Sequence, residues 1–357
     1  MNSGQESTIR LPEILRADSL HEDQLGNRVS EFTAALESEI EKTIEYLGSS
    51  AASDSITLDP YWPKWDSPWW HMTLLHELGL ANRIPNIGLQ SFLKGIDGYL
   101  HFFPLTEDDL PAGRDPLADV LCHCALATAD RVLRAAQVDV DGQLPWIGDW
   151  FIRYQLPDGG YNCDESVYTN SRKSSMISTV HMIEAMLDRL EHGVLEETQL
   201  ECLDRAAQYV IERRLLRSIS KNFELMDPLW CQLTFPRFYE LDILRTIKCL
   251  VSWSVARNKP VPWNSLEEVV GLLDAKIKAD KKLKVERDFY KSCGTRLPKE
   301  DGTWLSKQPV SVFPLLLKVS TLGHSDCPVL TASWKETLAL LMRASGNGLV
   351  CEDNAPP

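Results

Sequence analysis

The spacing of apolar positions makes the chain helical almost from end to end. "EFTAALESEIEKTIEYLG" (Glu31 to Gly48) sets apolar residues three and four apart and stops at a glycine. "SPWWHMTLLHELGL" starts with Asp66 or Ser67 as N-cap and Pro68 near the first helical position. "RDPLADVLCHCALATADRVL" repeats that Asp-Pro start at Asp115 and Pro116. Further helices are expected in "IGLQSFLKGIDGYLHFF", "LPWIGDWFIRYQ", "KSSMISTVHMIEAMLDRL", "TQLECLDRAAQYVIERRLL", "RFYELDILRTIKCLVSWSV", "SLEEVVGLLDAKIK", "PVSVFPLLLKVSTLG" and "TASWKETLALLMRA". No segment alternates convincingly as a strand.

Two kinds of helix emerge. Glu31–Gly48, Gln199–Leu216 and Ser265–Lys278 carry a charged face. Trp69–Leu80, Leu117–Ala129, Ser174–Leu187, Leu241–Val251 and Val310–Leu322 are apolar on nearly every side, the mark of a helix buried all round. The kinds alternate, which predicts helical hairpins in two concentric layers. A weak repeat agrees: "LPWIGDWFIRYQLPDGGY" is echoed by "VPWNSLEEVVGLLDAKI" with "KEDGTWLSK", and faintly by "TASWKETLALL".

The chain has 357 residues, room for one large repeat-built domain. We expect a flexible arm over 1–28, one domain over 29–346 and a frayed tail over 347–357. A net charge of −14 argues against a nucleic-acid partner. The one basic cluster, Lys276 to Lys291, reads as a solvated helix end. No apolar run reaches the roughly 18 residues of a membrane span, and the start lacks a secretory h-region. Nine scattered cysteines fit a reduced, cytoplasmic protein better than a disulfide framework. Cys122 and Cys124, on one predicted helix, would point ~200° apart and share no metal.

"QLPDGGY" carries the clearest local signal. Gly159 and Gly160 permit positive φ for a chain reversal. Asp158 suits the free N–H groups of the turn, while Gln155 and Tyr161 reach its neighbours. The stretch resembles the Q-x-x-D-G-G-W-type repeat of squalene cyclases and protein prenyltransferases, and "EDGTW" resembles a second copy. "PKWDSPWW", "LPDGGYNCDE" and "LTFPRFYELDILRTI" are similar to a bacterial group of squalene-cyclase-like repeat proteins. The resemblance spans about Asp66 to Gly323 and implies an all-α fold, an α/α toroid of five or six helical hairpins around a central cavity.

What the resemblance implies for chemistry is partial. The cyclases' D-x-D-D acid motif is matched only by "TEDD", with Thr106 in place of the first Asp. The prenyltransferases' Asp-x-Cys zinc pair is not matched by "NCDE", where Cys163 precedes Asp164. The function expected is a terpenoid-cyclase-like enzyme acting on an isoprenoid or other apolar small molecule. Two alternatives stay open: a non-catalytic toroid binding a ligand or peptide, and a zinc-dependent enzyme. No cofactor is otherwise implied, and a partner subunit is left open.

Candidate site residues lie near the starts of the apolar helices, where N–H dipoles converge. Asp119 and His123, read as i,i+4 on one face, form a base with its orienting carboxylate; Asp242 supplies a buried acid with Arg245 or His123 as partner. Trp65, Trp69 and Trp70 suit an aromatic wall, with Asp66, His71, His181 and Tyr239 nearby. Cys163, Asp164, Glu165, Lys173, Ser174 and Ser175 would rim the mouth. Zinc would use some of His71, His123, His181, Asp119 and Asp242. Each residue has a plainer reading. Asp66, Asp115 and Ser174 suit helix caps, His123 and His181 suit hydrogen-bonded core positions, and the tryptophans suit ordinary packing. His71 and His76 lie ~140° apart on a helix and would not share a metal.

Overall fold

A computed structural model describes residues 22–280, 282–292, 294–299 and 303–351. Most of the expected arm and tail lies outside these residues. Helix α1 (Glu22–Leu47) already begins within the stretch expected as arm. Its buried stripe, Phe32, Leu36, Ile40 and Leu47, follows the helical repeat seen in the sequence.

Next come α2 (Ser50–Leu58), α3 (Pro68–Glu77) and α4 (Asn86–Asp97). They are followed by α5 (His123–Ala135), α6 (Val140–Gln143), α7 (Ile147–Arg153) and α8 (Ser166–Thr169). The later helices are α9 (Met176–Glu191), α10 (Glu197–Glu212), α11 (Ile243–Arg257), α12 (Trp263–Asp280), α13 (Pro314–Gly323) and α14 (Pro328–Gly346). The described chain is thus mostly helical, as the periodicity predicts. Helix α2 was not expected; Ser49 caps it by accepting the N–H of Ala52 at 3.3 Å.

Among the described residues, six short strands interrupt the helices, in three two-stranded pairs. β1 (Arg217–Ser218) pairs with β2 (Glu224–Leu225) and β4 (Thr295–Pro298) with β5 (Trp304–Gln308), both antiparallel. β3 (Val261–Pro262) pairs in parallel with β6 (Val350–Cys351), so the start of the expected tail is tied down. The supposed second repeat copy falls here: Asp301 and Gly302 lie outside the described residues, and Trp304 opens a strand rather than joining two helices.

Helices apolar all round are the most buried ones. Eight of the ten residues of α3 are buried, from Pro68 to Leu75. α13 is the exception: it buries Leu315, Leu316 and Val319 but exposes Leu317. Helix α3 packs on α5, α5 on α9, α9 on α11, α11 on α14, α14 on α1, and α1 on α3, so the contacts close a cycle. Helices α10 and α12 pack against this set, and α4 packs on α2. One continuous apolar core runs from Phe32 to Val350.

The α5 region departs from expectation. The helix starts at His123, not at Asp115, and Cys122 is its N-cap. Upstream, the Asp119 carboxylate accepts the Asp115 N–H at 2.6 Å and the Arg114 guanidinium at 2.9 Å. Leu100 donates to the Asp119 carbonyl at 2.9 Å. An Asp that captures nearby backbone groups in this way competes with helix formation.

Candidate functional site

The diagnostic turn joins α7 to α9. Gly159 has φ +91°, and a Cβ there would lie 2.5 Å from the Arg205 carbonyl oxygen. Gly160 does not take positive φ; it is glycine for space, since a Cβ would meet Thr179 Oγ1 at 2.5 Å. Gln155 Nε2 donates to the carbonyls of Gly159 at 2.7 Å and Cys202 at 2.6 Å, locking the turn to α10. Asp158 accepts the Ser174 N–H at 3.1 Å and its hydroxyl, so Ser174 anchors the turn. The N-cap of α9 is Ser175. Tyr161 is buried, and its hydroxyl donates to the Phe151 carbonyl at 2.6 Å.

The expected catalytic trio does not assemble. Asp119 lies on the loop before α5 and pairs with Arg114, so it does not share a helical face with His123. His123 is wholly buried. Its Nδ1 accepts the Trp150 indole N–H at 2.8 Å, and an indole only donates, so the ring is neutral with its proton on Nε2. That Nε2–H donates to Tyr168 Oη at 2.7 Å, and the Tyr168 hydroxyl in turn donates to the Tyr154 carbonyl at 2.9 Å. Burial pulls the His123 pKa down to about 4. Asp242 is also wholly buried. It caps α11 through the Arg245 N–H at 2.7 Å, pairs with Arg237 at 3.0 Å and accepts the Thr234 N–H at 3.2 Å. Its side-chain ion-pair partner is therefore Arg237, not Arg245 or His123.

Trp65, Trp69 and Trp70 are buried packing residues. Trp65 stacks on Phe238 at 5.6 Å and meets Trp70 edge-on at 4.5 Å. Tyr239 packs on Trp65, and its hydroxyl bonds Lys64 Nζ at 3.2 Å. Ser67, not Asp66, is the N-cap of α3. Burial pushes the Asp66 carboxyl up, and the Ser311 hydroxyl partly offsets this. His71 lies between Tyr46 and Phe313, with ring centroids at 4.7 and 3.7 Å, and lines a cleft of about 310 Å³ with Lys42 and Asp66. His181 Nδ1 lies 2.8 Å from the Ile177 carbonyl and Nε2 3.3 Å from that of Phe238. Asp164, Glu165 and Lys173 are exposed, and Asp164 holds Ser166.

The sequence reading missed two clusters. The first is charged. Glu184 on α9 bridges Arg131 of α5 at 2.6 Å and Arg245 of α11 at 2.7 Å, and Asp188 takes Arg131 at 2.8 Å. Burial pushes the Glu184 carboxyl up, but the two guanidinium groups prevail and hold it well below the carboxylate range. Beside them, burial and then Arg131 bring the His76 pKa to about 3. Glu77 accepts the N–H groups of Arg237, at 2.7 Å, and Phe238, yet burial still raises its pKa. The available signal was a charge at Arg131, Glu184 and Arg245 within apolar helices.

The second cluster is sulfur. Because Cys122 precedes the helix, it does not point away from Cys124. Cys124 Sγ lies 3.3 Å from Cys163 Sγ, and Ser178 Oγ lies 3.2 Å from Cys163 Sγ. The neighbouring thiols of Cys124 and Cys163 draw the Cys122 thiol well below the usual range.

The zinc ligands considered above, His71, His123, His181, Asp119 and Asp242, keep separate partners. Among the described residues, no group of three or more His, Cys, Asp or Glu is placed to hold a metal. Nor is any described helix long and apolar enough to cross a membrane. No family model, curated protein or solved structure matches the chain.

Proposed function

We propose that the chain is an α/α toroid enzyme that works on a small, largely apolar molecule, of isoprenoid type, in the space its helices enclose. The closed cycle of helix contacts supports the toroid. The observation that carries the reading is the state of the side chains facing inward. His76, Glu77, Arg131 and Glu184 are only half-buried by accessible surface, yet burial is the largest influence on the ionisation of each. Half-buried ionisable groups on helices of the cycle support a space between them that a ligand enters. Tyr61, Cys122 and Cys163, in the segments outside the helices, are half-buried too.

In this reading the acid–base groups are His76 and Glu77 rather than Asp119, His123 and Asp242. His76 is neutral at pH 7 and offers a lone pair, and Glu77 beside it is the carboxyl whose pKa burial raises. Arg131, Glu184 and Arg245 neutralise one another and hold the walls in place. That mutual pairing also favours a second reading, a binding module without turnover.

Paired native and denaturing mass spectra of the purified chain test the proposal, followed by titration with farnesol, prenyl diphosphates and squalene. A bound mass of a few hundred daltons, lost on denaturation, or saturable binding of a polyprene is expected. Bare chain mass together with no binding across the panel defeats both readings. If a ligand binds, turnover lost in His76→Asn with affinity kept supports the enzyme; altered affinity alone supports the module.

A further inference from the structure

We propose that Cys124 and Cys163 are a redox-active dithiol, which a peroxide oxidises to a reversible intramolecular disulfide. Their sulfurs are 3.3 Å apart, and a bond of ~2.05 Å needs them to close by little more than about 1 Å. The pair joins the first turn of α5 to the segment just after the glycine turn, positions 39 apart in the chain. It does not depend on the toroid reading.

The two thiols have different surroundings. Cys163 is half-buried beside the exposed Asp164 and Glu165, so a small oxidant reaches it. Its sulfur receives the backbone N–H of Cys124 at 3.4 Å and the Ser178 hydroxyl at 3.2 Å, while the neighbouring Cys122 and then burial push its thiol up, so it attacks as its proton leaves with the departing hydroxide. Cys124 is buried behind it, in line to resolve the oxidised sulfur. Cys122 is the third sulfur of the cluster, and its contacts with Cys124 and Cys163 draw its own thiol well below the usual range. Cys202, Cys249 and Cys327 are buried on other elements.

The chemistry balances in two steps. Cys163 sulfur attacks one peroxide oxygen; an S–O bond forms, the O–O bond breaks, and hydroxide leaves as water with the thiol's proton. Cys124 sulfur then attacks Cys163 sulfur; the S–S bond forms, the S–O bond breaks, and a second water leaves. Two thiols are oxidised and one peroxide is reduced to two waters. A dithiol reductant reverses the change by thiol–disulfide exchange.

The test uses the full chain, reduced, desalted and treated with stoichiometric hydrogen peroxide, then denatured in N-ethylmaleimide. Intact mass should show two fewer maleimide adducts than the reduced control, restored by dithiothreitol. Peptide mapping should find Cys124 joined to Cys163. Cys163→Ser should abolish the loss, and Cys202→Ser should leave it unchanged. The proposal is overturned if all thiols stay alkylatable or if the crosslink joins other cysteines. It also falls if one cysteine gains two oxygens without a crosslink, or if oxidation releases zinc. The peptide map of the unmodified sequence decides the matter even should a variant not fold.

Discussion

A histidine whose Nδ1 accepts an indole N–H gains a proton only by giving up that bond. His123 is in this position, between Trp150 and Tyr168. Replacing it by leucine strands one buried donor, the Trp150 indole N–H, and takes one donor away from the Tyr168 hydroxyl, which still bonds the Tyr154 carbonyl. We expect His123→Leu to lose about 1–3 kcal/mol at pH 7, read from urea unfolding. The pH dependence follows from the depressed pKa. The unfolded imidazole titrates near 6.5 and the folded one at about 4, so its stabilisation is complete above 6.5 and declines as pH falls towards 4. The deficit of the variant should therefore shrink by about 2 kcal/mol between pH 7 and pH 5. An unchanged deficit would mean that His123 is not held neutral. At this scale the sequence marks which polar residues sit among apolar ones, as with His123 and Asp242. It does not tell whether such a residue acts or is held, because that depends on partners such as Trp150 and Arg237 that come from other segments.

Among the elements, the glycine turn was the most legible part of the chain. Its geometry depends on two glycines for two reasons: backbone conformation at Gly159 and space at Gly160. Gly159→Ala combines an unfavourable φ with a Cβ driven against the Arg205 carbonyl, and we expect a loss of more than about 1 kcal/mol in thermal or urea unfolding. A neutral result would show that the turn shifts freely against α10. Helix α5 was the least legible. Its sequence reads as helical from Asp115, yet the Asp119 carboxylate binds Arg114 and the Asp115 N–H, and the helix waits until His123. Eight residues of misplaced start were enough to separate Asp119 from His123 and to bring Cys122 towards Cys124 and Cys163.

Across the whole molecule, the charged bridge through Glu184 ties three helices together: α5 by Arg131, α9 by Glu184 itself and α11 by Arg245. Removing the charge leaves Arg245 without its bridging carboxylate, while Arg131 keeps Asp188. Glu184→Gln should cost about 3 kcal/mol, and most of this should persist in salt, since partly buried pairs are screened less than exposed ones. A cost that vanishes in high salt would place the pair at the surface instead. The sequence by itself determined the helical class, most helix positions, the buried character of α3, α5, α9 and α11, and the glycine turn. Those features rest on local spacing and local backbone preference, which a chain carries wherever it folds. Tertiary structure alone decided the Arg131–Glu184–Arg245 bridge, the meeting of Cys122, Cys124 and Cys163, and the placing of His76 and Glu77 beside the arginines of that bridge. Each joins residues from separate helices or turns, and their distances are fixed by how whole helices pack.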